Sequence, residues 1–212
     1  MDKIYLNSVN STQEYLVNYI SKNGYKNPMM IIANEQTNGK GSRDNHWICE
    51  KGNLFFSFVV DTSYLPKDMK IESSSIYFSC LLNMVLEQNG SKSYIKWPND
   101  FYINDDKIGG TMTYFKSKLL YCGIGLNIIK SNIGLKSLDI DMTQYQIIDQ
   151  FIKILSKNHT WAFVFNKFMV KYNLLNENKK TTINNKQIKI TQDMLQADGS
   201  LLINNKKEYS LR

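Results

Sequence analysis

Apolar positions along the chain change period several times, and each change marks an element. Ser11-Thr12-Gln13-Glu14 has the S-x-x-E spacing of a capping box, and Tyr15, Leu16, Tyr19 and Ile20 follow at helical spacing until Gly24 stops them. Pro28 to Ala33 and Leu54 to Val60 are short continuous apolar runs, read as buried strands. Between them lies a polar, glycine-bearing loop, Glu35 to Gly52; a loop of that length in a small domain is functional or disordered. Ile76, Tyr77, Leu81, Val85 and Leu86 fall on one helical face within Ser73 to Gln88, with Gly90 placed to end the helix. Tyr94 to Trp97 is extended, because Pro98 disfavours the helical region for the residue before it.

Phe101 to Ile103, the turn Asn104-Asp105-Asp106, then Ile108 to Tyr114 and Leu119 to Ile128 predict strands of a largely antiparallel sheet. Ile147 to Leu155 and Trp161 to Tyr172 read as helices, the first capped by Thr143 with Gln146. After Leu175 the runs become short and alternating, with turns at Asn184-Asn185 and Asp198-Gly199, which predicts a small all-β piece.

A length of 212 residues allows one full hydrophobic core and a small appendage. The expected division is a catalytic-sized domain over 1–174 and a short β domain over 175–212. Hydrophobic content of 42% and aromatic content of 12% describe a globular protein rather than a disordered tail. The start, Met1-Asp2-Lys3-Ile4-Tyr5, leads into no apolar stretch, and no run reaches membrane-spanning length. A soluble, unprocessed cytoplasmic protein without a membrane partner is expected. Cys49, Cys80 and Cys122 are odd in number and widely spaced, which indicates neither a disulfide framework nor a zinc ribbon. His46 and His159 are far apart, and no local spacing offers them help in a zinc site. The net charge of +7 and pI near 9.1 would suit a nucleic-acid binder, but the lysines are scattered among Asn and Asp, as on a solvated surface.

Three segments carry candidate chemistry. In Gln36-Thr37-Asn38-Gly39-Lys40-Gly41-Ser42-Arg43-Asp44-Asn45-His46-Trp47, two glycines bracket a lysine, and the backbone can approach a ligand closely. The loop is a mobile surface loop or a phosphate clamp; it is neither a dinucleotide fingerprint nor a P-loop. In Lys96-Trp97-Pro98-Asn99-Asp100 a lysine ends an extended segment before a rigid corner. It is either a surface lysine or a held ammonium able to neutralise charge as phosphate activates a carboxylate. Lys107-Ile108-Gly109-Gly110 and Gly123-Ile124-Gly125-Leu126-Asn127 place glycines inside strand patterns, as bulges or as walls that a ligand approaches closely.

Taken in order, Ser11-Thr12-Gln13, Gln36 with Gly39-Lys40-Gly41, Lys96-Trp97-Pro98-Asn99-Asp100, Gly109-Gly110 and Gly123-Ile124-Gly125-Leu126-Asn127 resemble the biotin protein ligases. The K-W-P-N-D segment is the most specific element, and the close on Ser210-Leu211-Arg212 is similar to the family's end. The resemblance implies an α/β (α+β) fold related to class II aminoacyl-tRNA synthetases, a mixed sheet flanked by helices, with a small C-terminal all-β domain. It implies a biotin pocket of Ser11, Thr12, Gln13, Gln36, Gly39, Lys40, Gly41, Ser42, Lys96, Gly110, Gly123 and Gly125. ATP is assigned to Lys40, Arg43, Trp47, Lys96, Asn99, Asn127 and Arg212, with Lys96 as the catalytic residue.

The loop departs from the family's usual G-[RK]-G-R, since Ser42 takes the second basic position. Arg43, which with Arg212 makes up the chain's arginines, is the expected substitute.

The implied activity is biotin, ATP and magnesium chemistry in two steps: biotinyl-5'-AMP forms, and biotin passes to one lysine of a biotin carboxyl carrier protein. Magnesium is expected to arrive with ATP rather than in a metal site, and the protein to be a monomer or weak homodimer. A lipoate or octanoate ligase or transferase of the same superfamily is the nearest rival, and the K-W-P-N-D segment argues against it. A basic nucleic-acid module, or a biotin-binding regulator, is the rival of another class. Ser11-Thr12 begins too near Met1 for a preceding helix-turn-helix, and no specific nucleic acid is expected.

Overall fold

Seven extended segments hydrogen-bond into one sheet in the computed structural model, which describes residues 1–41, 47, 50–175, 179–183 and 186–209. They are β1 (Asp2–Leu6), β2 (Met29–Ala33), β3 (Leu54–Asp61), β4 (Tyr94–Lys96), β5 (Asp100–Ile103), β6 (Asp106–Lys116) and β7 (Leu119–Leu126). The order across the sheet is β1-β2-β3-β7-β6-β5-β4. β1 and β2 run parallel, and the other neighbouring pairs are antiparallel. The tight turn joining β5 to β6 is possible because Asn104 takes a positive φ of 52°, a conformation asparagine tolerates.

Strand alternation sends side chains to two faces. On one face Leu16 and Ile20 of α1 (Thr12–Asn23) pack on Ile31, Val59 and Tyr121. On the other, Met30, Ile32, Phe56 and Phe58 join the larger cluster under α2 (Ser74–Gln88), α3 (Gln144–Leu155) and α4 (Trp161–Leu175). Burial of each such aliphatic or aromatic side chain contributes about 1.5–3 kcal/mol. α2 is apolar almost all round because it lies between the sheet and the helices α3 and α4, with even Ser74, Ser75 and Ser79 buried.

The expected capping box forms in full at α3, whereas at α1 only its first half does, the Glu14 carboxylate pairing with Lys40 instead. Ser11 Oγ accepts from Glu14 N at 3.4 Å at the start of α1. At α3, Thr143 Oγ1 accepts from Gln146 N at 3.3 Å while Gln146 Oε1 accepts from Thr143 N at 2.8 Å.

Two hairpins follow the helices, β8 (Lys180–Ile183) with β9 (Lys186–Lys189), and β10 (Leu201–Ile203) with β11 (Lys206–Glu208). Ile183, Ile190, Leu195 and Leu201 enter the same large cluster as α2 and α4. Trp97 Nε1 donates to Gly199 O at 2.9 Å and Trp161 Nε1 to Ala197 O at 2.9 Å, so the turn before β10 satisfies two indole donors of the main body. The mixed sheet flanked by helices, with small C-terminal hairpins, is the fold class the sequence implied. β1 was not expected. No helix among the described residues is long and apolar enough to cross a membrane.

Candidate functional site

The registers of the sheet, which no single segment reveals, bring the glycines together. Ser57 on β3 lies opposite Gly123 on β7, and Gly123 opposite Met112 on β6. In the next row that faces the same way, Phe55, Gly125, Gly110, Asp100 and Lys96 follow one another across five strands. Directly opposed residues share a face, so a floor with Gly123, Gly125 and Gly110 at its centre crosses the middle of the sheet. α1 covers β2, β3 and β7, and its first turn, Ser11 to Gln13, stands as a wall beside this floor. The result is a cleft of about 550 Å³, its mouth included.

Space, not backbone conformation, explains the glycines. A Cβ on Gly123 would stand 2.8 Å from Gln13 Oε1 and 3.1 Å from Ser57 Oγ. One on Gly125 would meet Trp47 Nε1 at 3.0 Å, and one on Gly110 would meet Asp100 Oδ1 at 3.2 Å. The wall is polar and ordered. Ser57 Oγ and Thr12 Oγ1 lie 2.8 Å apart, and Gln36 Oε1 accepts from Thr12 N at 2.7 Å and from Thr12 Oγ1 at 3.0 Å. Gln13 Oε1 is buried and finds no hydrogen-bond partner among the described residues, which leaves an acceptor for a ligand donor.

Two cations stand beside carboxylates and a third over an aromatic ring. Lys107 Nζ lies 2.8 Å from Asp100 Oδ1 and 5.4 Å from the centre of the Trp47 ring. Lys40 pairs with Glu14 of α1. Lys96 lies over the Tyr102 ring, 4.9 Å from its centre, with the phenol oxygen 3.4 Å from Nζ. Burial, and then the Asp100 charge, push the Tyr102 phenol above its ordinary value. Burial likewise raises the Cys80 and Cys122 thiols, which stay protonated and unreactive. Among the described residues no group of three His, Cys, Asp or Glu could hold a metal ion.

Of the residues proposed from sequence, Ser11, Thr12, Gln13, Gln36, Lys40, Gly41, Trp47, Asn99, Gly110, Gly123 and Gly125 line this cleft. Gly39 lies buried at the start of the loop, its carbonyl accepting from Trp47 N at 2.8 Å. Lys96 does not line the cleft, although it ends the row that floors it. Asn127 is buried away from it: Asn127 Nδ2 donates to Lys136 O at 3.1 Å and Asn127 N to Ile108 O at 2.7 Å. Ser42, Arg43 and Arg212 lie outside the described residues. The lining also includes Ser57, Asp100, Lys107, Thr111, Met112 and Ile124, which sequence reasoning did not assign. Ser57 had a signal, as the one hydroxyl in the apolar run Leu54 to Val60.

Residues 5–129 match the model of the biotin/lipoate A/B protein ligase family, and the chain belongs to that family. The fold is similar to that of the biotin acetyl coenzyme A carboxylase synthetase from Helicobacter pylori, solved with bound biotinylated ATP. That likeness has a TM-score of 0.88 and 33% identity over 98% of each chain. In sequence the chain is 35% identical to biotin--protein ligase 2 of Arabidopsis thaliana over 110 residues, 47% of this chain and 32% of that protein. It is 25% identical to the bifunctional ligase/repressor BirA of Bacillus subtilis over 130 residues, 59% of this chain and 40% of that protein. The chain thus spans less than half the length of these two curated relatives.

Proposed function

We propose that the protein is an ATP-dependent biotin protein ligase that makes biotinyl-5'-AMP and passes biotin to a lysine of a biotin carboxyl carrier protein. The observation that supports it most is the convergence in one cleft of Ser11 to Gln13, the loop from Gln36 to Gly41, Asn99-Asp100, Gly110 and Gly123 to Gly125. The ureido ring of biotin offers N–H donors and a carbonyl acceptor. The buried Gln13 Oε1 is placed to accept from such a donor, and the glycine floor admits a flat bicyclic ring.

In the first step a carboxylate oxygen of biotin attacks the α-phosphorus of ATP; the bond to the bridging oxygen breaks, and pyrophosphate leaves with the electron pair. In the second, the carrier amine attacks the acyl carbon, AMP leaves, and the amine proton passes to solvent. Lys40 and Lys96 offer the positive charge that both steps need, and Arg43 adds a fork suited to phosphate. In this reading Lys96 reaches the site from the end of the floor row, leaving the face of Tyr102. Magnesium enters as the ATP complex.

Residues 1–174 are proposed to carry both substrates, and 175–212 to complete the corner that holds the K-W-P-N-D segment. Binding of a specific DNA sequence is not part of this function. The test is incubation of the protein with ATP, magnesium and labelled biotin, with and without a carrier domain. Covalent label on one carrier lysine is the expected result. Label from lipoate or octanoate but not biotin would overturn the assignment in favour of the other branch of the family.

A further inference from the structure

Glu14, in the first turn of α1, has two partners within its reach and takes only one. As the third residue after the N-cap Ser11, it holds the position from which a side chain returns to the N-cap backbone N–H, as Gln146 does at Thr143 with a bond of 2.8 Å. Its backbone N–H donates to Ser11 Oγ, but its carboxylate leaves the helix for the ammonium of Lys40, the residue between Gly39 and Gly41 in the loop that lines the cleft. The start of that loop is fixed by other means. Thr37 N donates to Val9 O at 2.9 Å, Asn38 N to Asn10 O at 2.9 Å, and Gln36 Oε1 accepts from Thr12 N at 2.7 Å. Past Asn38, the next tie to α1 among the described residues is the pair of Lys40 with Glu14. The two side chains are 51% and 43% exposed, and an ion pair so exposed does little for stability. It is readily exchanged for a stronger anion, and a polyphosphate brings several charged oxygens to one ammonium. Until the exchange is made, an incoming phosphate meets a like charge beside the cation it needs.

We propose that Glu14 is an autoinhibitory strap: in the empty cleft it holds Lys40 against α1, and a phosphate group takes Lys40 from it, whereupon the carboxylate turns back to the Ser11 backbone N–H and completes the cap. This rests on the biotin ligase reading, which gives Lys40 its phosphate. Glu14 touches neither substrate in this scheme; it acts through Lys40, as a positioning residue. The exchange joins the arrival of the anion to the first turn of α1. Thr12 and Gln13 of that turn stand in the cleft wall, and Thr12 is bonded to Gln36 and Ser57. An anion that completes the cap therefore firms the wall against which the other substrate lies.

The test uses the full chain with saturating biotin, and inorganic pyrophosphate as the probe, titrated at low and at high salt beside a melting curve. Glu14→Gln keeps a side chain able to complete the cap and removes the charge that holds Lys40. It is expected to melt within a few degrees of wild type. At low salt it should bind pyrophosphate about three- to tenfold more tightly than wild type, since the exposed pair no longer has to be broken and a like charge is gone. The gain should shrink at high salt, where exposed charges are screened. In a Lys40→Gln background the same substitution should change pyrophosphate affinity by less than about twofold, because the strap has nothing to hold. Unchanged affinity in Glu14→Gln, or an equal gain with and without Lys40, would overturn the proposal. Wild-type protein that makes biotinyl-adenylate from ATP and biotin, beside such an unaffected variant, would sink the strap and leave the ligase reading standing. Wild-type protein that makes no adenylate from biotin would overturn that reading and the strap with it.

Discussion

Gly123→Ala probes the cleft with the smallest possible intrusion. The glycine lies within β7, its φ is not positive, and alanine there keeps every backbone bond of the strand. Its new methyl would stand 2.8 Å from Gln13 Oε1 and 3.1 Å from Ser57 Oγ. Gln13 is only partly buried, so its flexible end can give way, and the fold should survive. The carboxamide would then leave the position from which it meets a ligand. Overpacking of one methyl group costs about 1–3 kcal/mol, and here it falls on the complex rather than on the free protein. At about 1.4 kcal/mol per tenfold change, biotin affinity should drop roughly 5- to 150-fold, as read by titration calorimetry.

Gly109→Ala gives the contrast. Its methyl would press on the Gly125 carbonyl at 2.8 Å and on Leu126 Cδ1 at 2.8 Å, between β6 and β7, where backbone must move. That cost should appear in the fold, as a lower melting temperature of about 2–4 °C per kcal/mol. Biotin affinity within twofold of wild type in Gly123→Ala would refute the argument that the glycine floor is the ligand's seat.

Lys96→Ala should lose about 2.7–4 kcal/mol of transition-state stabilisation, the range for removal of a key electrostatic group. Pyrophosphate exchange near the wild-type rate would remove Lys96 from the mechanism. If Arg43 grips the phosphate as proposed, Arg43→Lys keeps charge but loses a fork able to hold two phosphate oxygens, so the adenylate should dissociate faster and label bystander lysines. An Arg43→Ala variant with the wild-type dissociation rate would contradict this role.

Burial alone would raise the Asp198 carboxyl. Hydrogen bonds from Lys207, Ser200, Lys70 and Tyr209 outweigh it and hold the group below the usual carboxylate range. A depressed folded value means that the stabilisation is complete above the unfolded pKa of about 3.9 and is lost as pH falls below it. Asp198→Asn should therefore melt below wild type at pH 7, by the equivalent of about 1.5–3 kcal/mol, with the gap closing towards pH 2. A gap independent of pH would show that the charge is not its source.

Helices were legible because their signals are local. The spacing of Ser11 and Glu14, and of Thr143 and Gln146, announces each cap within a few residues. β1 was not legible: it is an edge strand, three of its five residues are exposed, and its apolar run, Ile4-Tyr5-Leu6, is short. The site was legible as a set of segments but not as a surface. Gly110, Gly123 and Gly125 stand out in strand patterns, yet only the pairing of Gly125 with Gly110 and of Gly123 with Ser57 makes them one floor. Lys107 stayed unassigned because its partner Asp100 and its ring Trp47 come from other segments. Asn127 shows the converse, a residue at a motif position whose amide is taken by the backbone of a neighbouring loop.

The hydrogen bond from Trp97 to Gly199 has a practical meaning for anyone who would recut this protein. The turn at Asp198-Gly199 acts as a keystone: its glycine has a φ of +83°, and a Cβ there would strike Ile76 and Trp161 at 3.0 Å. A swap of the C-terminal piece for that of a relative, or a chain split near residue 175, would leave the indoles of Trp97 and Trp161 facing lost acceptors. The corner that presents Lys96 would loosen in consequence. A transplant should therefore carry residues 196–201 unchanged, and a split pair would regain activity only when the second fragment brings that turn back.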